Sequence, residues 1–124
     1  MNNPEVTMHE KQQSTRFDVL EKATTAASIA ISLVMRVPAP LKPIADRVIR
    51  SASSVPANLA EGAGRSGRDR THHWRIAYGS AKEVETHLRL LVGTCALDPS
   101  QVESSLNLFD DVRAMTWRLL HPRL

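Results

Sequence analysis

The feature that most restricts this chain is a ladder of apolar residues: Trp74, Ala77, Ala81, Val84, Leu88, Leu91 and Cys95 follow one another at alternating steps of three and four without a break. Only an α-helix, with its 3.6-residue turn, brings such positions onto one face, and a seam this regular asks for helical neighbours at shallow crossing angles. Three weaker patterns supply those neighbours. Leu20, Thr24, Ala27, Ile31 and Val34 mark a first helix that opens at Thr15, where Thr15-Arg16-Phe17-Asp18 matches a helix start signal, and ends before Pro38 and Pro40. Leu41, Ala45, Val48, Ala52, Val55 and Leu59 mark a second, opening around Pro40 to Pro43 and kinked near Ala52 to Pro56 by its internal proline. Val102, Leu106, Phe109, Val112, Thr116 and Leu119 mark a fourth, set off by Leu97-Asp98-Pro99-Ser100 and ended at Pro122.

Four amphipathic helices with short connections and no strand signal predict an all-α, up-down four-helix bundle over residues 15–124, preceded by a flexible polar tail over 1–14. The first helix carries a further apolar line, Val19, Ala26, Ala30, Leu33 and Val37. One bundle core rarely needs both lines, so the second predicts a contact between copies of the chain.

At 124 residues the chain has room for one core and little else. Its single cysteine, Cys95, permits no internal disulfide and no cysteine-based zinc site, and it is expected to act as a small buried hydrophobe closing the third seam. The apolar run from Ala26 to Met35 is too short to span a bilayer, and Asp18 and Glu21 stand where a signal peptide would want positive charge, so a reducing cytoplasm is the expected location. No cofactor or metal is expected. A di-metal bundle needs inward Glu-x-x-His pairs, whereas this chain offers Glu83-x-x-x-His87 and the adjacent His72-His73.

Glu61 to Arg70 reads EGAGRSGRDR, the literal G-x-G-x-x-G of a dinucleotide-binding turn. Such a turn works at the end of a strand, with the pyrophosphate on the next helix N-terminus. Here the preceding residues have helical period, so the three glycines are expected to end one helix and turn the chain into the next.

Charge is concentrated in the middle of the sequence. Between Arg36 and Arg75 stand eight cations against three acids. Arg68, Arg75, Lys82 and Arg89 recur every seven residues, which keeps them near one face of the third helix at about 10.5 Å intervals. With Arg65 and Arg70 at the turn, and Arg47 and Arg50 on the second helix, they form a candidate nucleic-acid surface that would neutralise phosphates without reading sequence. The bland alternatives are a solvated face, or pairing with Asp110-Asp111 of another copy. A polar stripe, Arg50, Ser54, Asn58 and Glu61 with Ser80 and Glu83, predicts an interhelical hydrogen-bond network with Arg50 and Glu83 as an ion pair. If instead it were a catalytic pocket, Ser54 or Ser80 would have His87 as its nearby base.

Ser54-Val55-Pro56-Ala57-Asn58-Leu59-Ala60-Glu61-Gly62 resembles the Ser-Ile-Pro-x-Asn-Ile-Ala-Glu-Gly signature of a bacterial four-helix bundle family that includes proteins encoded in intervening sequences of large ribosomal RNA genes. A second block of that family, Ala-x-Gly-Ser-x-x-Glu, stands as Ala77, Gly79, Ser80 and Glu83. Tyr78 departs from a commonly basic position, and His73-Trp74 from a usual Phe-Leu. The resemblance, over roughly Phe17 to His121, implies a ring-like homopentamer of up-down bundles with a positively charged surface for RNA or DNA. It extends to accessory proteins of diversity-generating retroelements, which implies a reverse transcriptase as a possible kind of partner. The expected function is non-enzymatic binding of RNA or DNA through backbone phosphates; the alternative is an adaptor that recruits a nucleic-acid enzyme.

Overall fold

The computed structural model describes residues 7–123 and is built of four long helices: α1 (Met8–Val34), α2 (Lys42–Ala63), α3 (Gly67–Gly93) and α4 (Pro99–Leu120). A single 3-10 turn, Ala39–Leu41, leads into α2. Each helix packs on its neighbour in sequence and α1 also packs on α4, which closes the up-down bundle. Among the described residues there is no strand.

α1 starts a full two turns before Thr15. Thr7 and Glu10 form a reciprocal capping box: Thr7 Oγ1 accepts from the Glu10 N–H at 3.1 Å, and the Glu10 carboxylate accepts from the Thr7 N–H at 3.3 Å. Thr15 lies inside the helix, its hydroxyl donating to the Lys11 carbonyl at 2.9 Å. Of the expected tail, residues 7–14 therefore belong to the cap and first turns of α1, and residues 1–6 lie outside the described residues. The apolar period missed these turns because most of their side chains are exposed and polar.

The core draws on both apolar lines of α1, with Ala27 and Val34 from the expected seam and Val19, Ala26 and Ala30 from the second. Val19, Ala23, Ala26, Ala27, Ala30 and Val34 are buried inside the single chain, while Thr24 is exposed and Leu20 and Ile31 are only half-buried. The line expected to be left over for another copy is thus largely the core itself. Alanine is the reason: four small residues let α1 lie close to its neighbours, and a pattern weighted by large side chains picks only part of the buried face. At one such approach Ser105 of α4 donates to the Ala26 carbonyl at 3.4 Å.

The other seams hold. Ala45, Val48, Ala52, Val55 and Leu59 of α2 are buried, and α2 runs through Pro56 as one helix. Trp74, Ala77, Ala81, Val84, Leu88 and Leu91 of α3 are all buried, and Val102, Phe109, Val112, Thr116 and Leu119 of α4 complete the core. Cys95 does not. It is exposed, beyond the end of α3, in a left-handed conformation with φ 63°. The Cys95 N–H donates to Val92 O at 2.9 Å and the Ala96 N–H to Leu91 O at 3.0 Å, the paired bonds of a Schellman stop. Leu97, 7% exposed, takes the core place expected of the cysteine.

Candidate nucleic-acid interface

The glycine-rich stretch is a helix–turn–helix tip. α2 ends at Ala63, and α3 opens at Gly67, whose φ of +58° suits a residue without Cβ. Gly62 is needed for a different reason: a Cβ there would lie 2.5 Å from Trp74 Cδ1 and 2.6 Å from its Nε1. Two of the three glycines are thus explained by turn geometry and by the seat of one buried indole.

That indole is roofed by cations. The Arg16 and Arg70 guanidinium carbons stand 5.2 and 5.6 Å from the centre of the Trp74 ring, within cation–π range. Arg70 Nε also donates to the Gly62 carbonyl at 3.3 Å, and Arg16 Nη2 to Gln12 Oε1 at 2.7 Å. The Nε of Arg16 is buried and meets no acceptor among the described residues. Burial, and then the neighbouring charge of Arg70, pull Arg16 below the ordinary guanidinium range. Nothing in the periodicity of the first helix singles out Arg16; only packing across the end of the bundle brings it to Trp74.

The structure divides the eight sequence-predicted cations into two groups. Arg65 is occupied, held by Glu61 at 2.7 Å and by Asp69 at 3.8 Å. The hydrogen bond between them lowers the Glu61 carboxyl and raises the Arg65 guanidinium relative to their usual values. Arg70 is occupied with Gly62 and Trp74. By contrast Arg68, Arg75, Lys82 and Arg89 are all exposed on the single helix α3, and none has an acidic partner within 4.0 Å among the described residues. The same holds for Arg47 and Arg50 on α2. From Arg68 to Arg89 the line is about 30 Å long. Lys82 also lies over the Tyr78 ring at 5.9 Å. Asp110 and Asp111 are already engaged within the chain, by Arg113 at 2.7 Å and Lys22 at 3.3 Å.

The polar network between α2 and α3 exists with a different membership. His73 Nδ1 donates to Asn58 Oδ1 at 2.9 Å; Asn58 Nδ2 donates to the Ser54 carbonyl at 2.9 Å and to Ser54 Oγ at 3.0 Å; Ser80 Oγ meets Ser54 Oγ at 3.0 Å. Because a backbone carbonyl can only accept, the Asn58 amide nitrogen faces Ser54, which leaves its oxygen for His73 and puts the proton on Nδ1. His73 lies seven residues before Ser80, on the same face of α3, and was missed because the stripe was not followed back from Ser80 toward the glycine tip. His87 is outside the network, its Nδ1 donating to the Glu83 carbonyl at 2.9 Å. Glu61 belongs to Arg65. The expected Arg50–Glu83 pair does not form. Both side chains are exposed, where water solvates each charge and pairing gains little.

The signature residues therefore have physical duties: Ser54 and Asn58 join α2 to α3, Glu61 holds Arg65 at the tip, and Gly62 admits Trp74. In the second block Ala77 is buried and Ser80 meets Ser54, while a Cβ at Gly79 would have nothing within 4 Å. Among the described residues no three His, Cys, Asp or Glu side chains converge as a metal site, and no helix is long and apolar enough to cross a membrane.

No curated protein matches the chain. A solved structure that is similar is the crystal structure of a protein of unknown function from the S23 ribosomal protein family of Bacteroides thetaiotaomicron VPI-5482, 24% identical, with a TM-score of 0.79 over 86% of this chain and 98% of that one. The likeness is one of fold. The model of the 23S rRNA-intervening sequence proteins matches residues 15–118, which reaches from within α1 to within the last turn of α4, and the chain belongs to that family.

Proposed function

We propose that the protein is a non-enzymatic, homo-oligomeric bundle that binds RNA or DNA through backbone phosphates along α3. The observation that carries this is the row Arg68, Arg75, Lys82 and Arg89: four exposed cations at seven-residue intervals on one helix, none with an acidic partner within 4.0 Å among the described residues. Arg47 and Arg50 add charge on α2, while Arg65 and Arg70 contribute less because each already serves the tip. Contacts of this kind displace counterions and read no sequence. A non-catalytic role is supported by the polar network, where the Ser54 and Ser80 hydroxyls bond each other and the imidazole is held on Asn58.

The test is binding of duplex and single-stranded oligonucleotides over a range of salt. Affinity should fall steeply with salt, and Arg75→Gln or Lys82→Gln should each reduce the slope by roughly one unit. Affinity that is absent, or indifferent to salt, removes the proposal.

Assembly is supported by a different line from the one expected. Phe17 is 61% exposed, and Leu20 and Ile31, packed against the edge of the core, keep part of their apolar surface in solvent along the same line of α1. We assign this face to contacts between copies, a homopentamer being what the family resemblance implies, and native mass measurement tests it. The exposed Met35 and Leu90, 68% and 48%, favour a second reading, an adaptor that recruits a nucleic-acid enzyme such as a reverse transcriptase. Pull-down after nuclease treatment distinguishes the two, since a protein partner survives the nuclease.

A further inference from the structure

The chain has only five aromatic residues other than histidine. Trp74 and Phe109 are buried, and Phe17 lies on the outside of α1. The remaining two, Tyr78 and Trp117, line one open groove of about 990 Å³ between the start of α1, the middle of α3 and the end of α4. Trp117 is 50% exposed, a large apolar surface left in water. His121 stacks on it with ring centres 4.1 Å apart and planes within 24°. The stack is pre-set: His121 Nδ1 donates to the Trp117 carbonyl at 2.9 Å, which fixes the imidazole at the C-cap of α4.

The charge around these rings is positive. Arg113 and Asp110 answer each other at 2.7 Å, with Arg113 also on Glu85 at 3.1 Å. Lys11, Arg118 and Arg123 line the groove, are exposed, and have no acidic partner within 4.0 Å among the described residues. Lys82, over Tyr78, joins the groove to the cation row of α3. Flat aromatic faces beside unneutralised cations make the two halves of a single-strand site, the rings taking bases and the cations taking phosphates. The volume is at the upper end of the roughly 300–1,000 Å³ of ligand pockets. A duplex, whose bases are stacked on each other, offers these rings no free face.

We infer that the Trp117–His121 stack and Tyr78 form a base-stacking site for unpaired nucleotides, continuous with the phosphate-binding row of α3. It rests on the nucleic-acid reading above and adds to it a preference for single-stranded segments.

The experiment compares a short thymidine oligonucleotide with a duplex of equal length, at one salt concentration, for the full chain and for Trp117→Ala and Trp117→Phe. Intrinsic fluorescence follows the indole, and thermal melting confirms that the exposed position leaves the fold intact. Single-strand binding should quench the fluorescence. Trp117→Ala should weaken it by about 5- to 100-fold, the effect of losing one stacking ring, with duplex affinity unchanged. Trp117→Phe, which keeps a ring, should recover most of the loss. Single-strand affinity unaltered in Trp117→Ala, or equal losses for strand and duplex, overturns the stacking site while the phosphate row stands. A change of native mass without a change in single-strand affinity also overturns it and places the ring between copies of the chain. If neither ligand binds the unaltered protein, both proposals fall.

Discussion

Gly62→Ala isolates the contact on which the α2–α3 tip depends. Near the end of α2, alanine is the better helix former by at most about 1 kcal/mol. Against that gain, the new methyl would lie 2.5 Å from Trp74 Cδ1 and 2.6 Å from Nε1, both well inside van der Waals contact, and a tight 3.1 Å from the Arg70 carbonyl oxygen. None of these atoms is the end of a flexible side chain. Trp74 is 3% exposed, donates to the Leu59 carbonyl at 3.4 Å and lies beneath Arg16 and Arg70, so relief means moving a packed ring or the backbone of α3. Overpacking of this kind costs about 1–3 kcal/mol, more than the propensity returns. We expect Gly62→Ala to be destabilised by about 1–2 kcal/mol in urea unfolding, with an unchanged slope. Gly79→Ala is the control: a Cβ there meets nothing within 4 Å, so the same exchange in mid-α3 should stabilise by about 0.5–1 kcal/mol. Combining Gly62→Ala with Trp74→Leu should remove most of the penalty measured on the unaltered background. A Gly62→Ala protein as stable as the parent, or a penalty that persists with leucine at 74, would refute the close seat of the indole.

Other outcomes follow from single contacts. Cys95→Gly should raise stability by about 1 kcal/mol in thermal melts, because the residue after the α3 stop is held at φ 63°, where a side chain is strained. Cys95→Ala, which keeps the strain, should change little; if it stabilises as much as glycine, the left-handed stop is misassigned. Burial raises the Glu85 carboxyl above its usual range in spite of the Arg113 guanidinium beside it. A carboxyl shifted upward stabilises fully below its unfolded value, and that contribution is lost as pH rises through the folded one. Glu85→Gln should therefore match the parent near about pH 4 and exceed it in stability near about pH 7, as read by urea unfolding at the two pH values. A glutamine variant less stable at neutral pH shows that the ion pair outweighs its desolvation.

The number of helices, three of the four core seams and the dismissal of the nucleotide-binding turn were legible in the order of residues, because helical period survives in a one-dimensional pattern wherever large apolar side chains mark one face. The four-cation row was legible for the same reason: a seven-residue repeat keeps its place on any helix. Tertiary structure decided what periodicity cannot weigh. On α1 it set alanines in the centre of the core, Leu20 and Ile31 at its half-buried edge and Thr24 in solvent, since close helix approach favours small residues over large ones. It brought Arg16 to Trp74 and His73 to Asn58 from separate helices, and it separated Arg50 from Glu83. It also assembled the Trp117 groove from the start of α1, the middle of α3 and the end of α4. Distances between helices arise only when the bundle closes, and each of these contacts is such a distance.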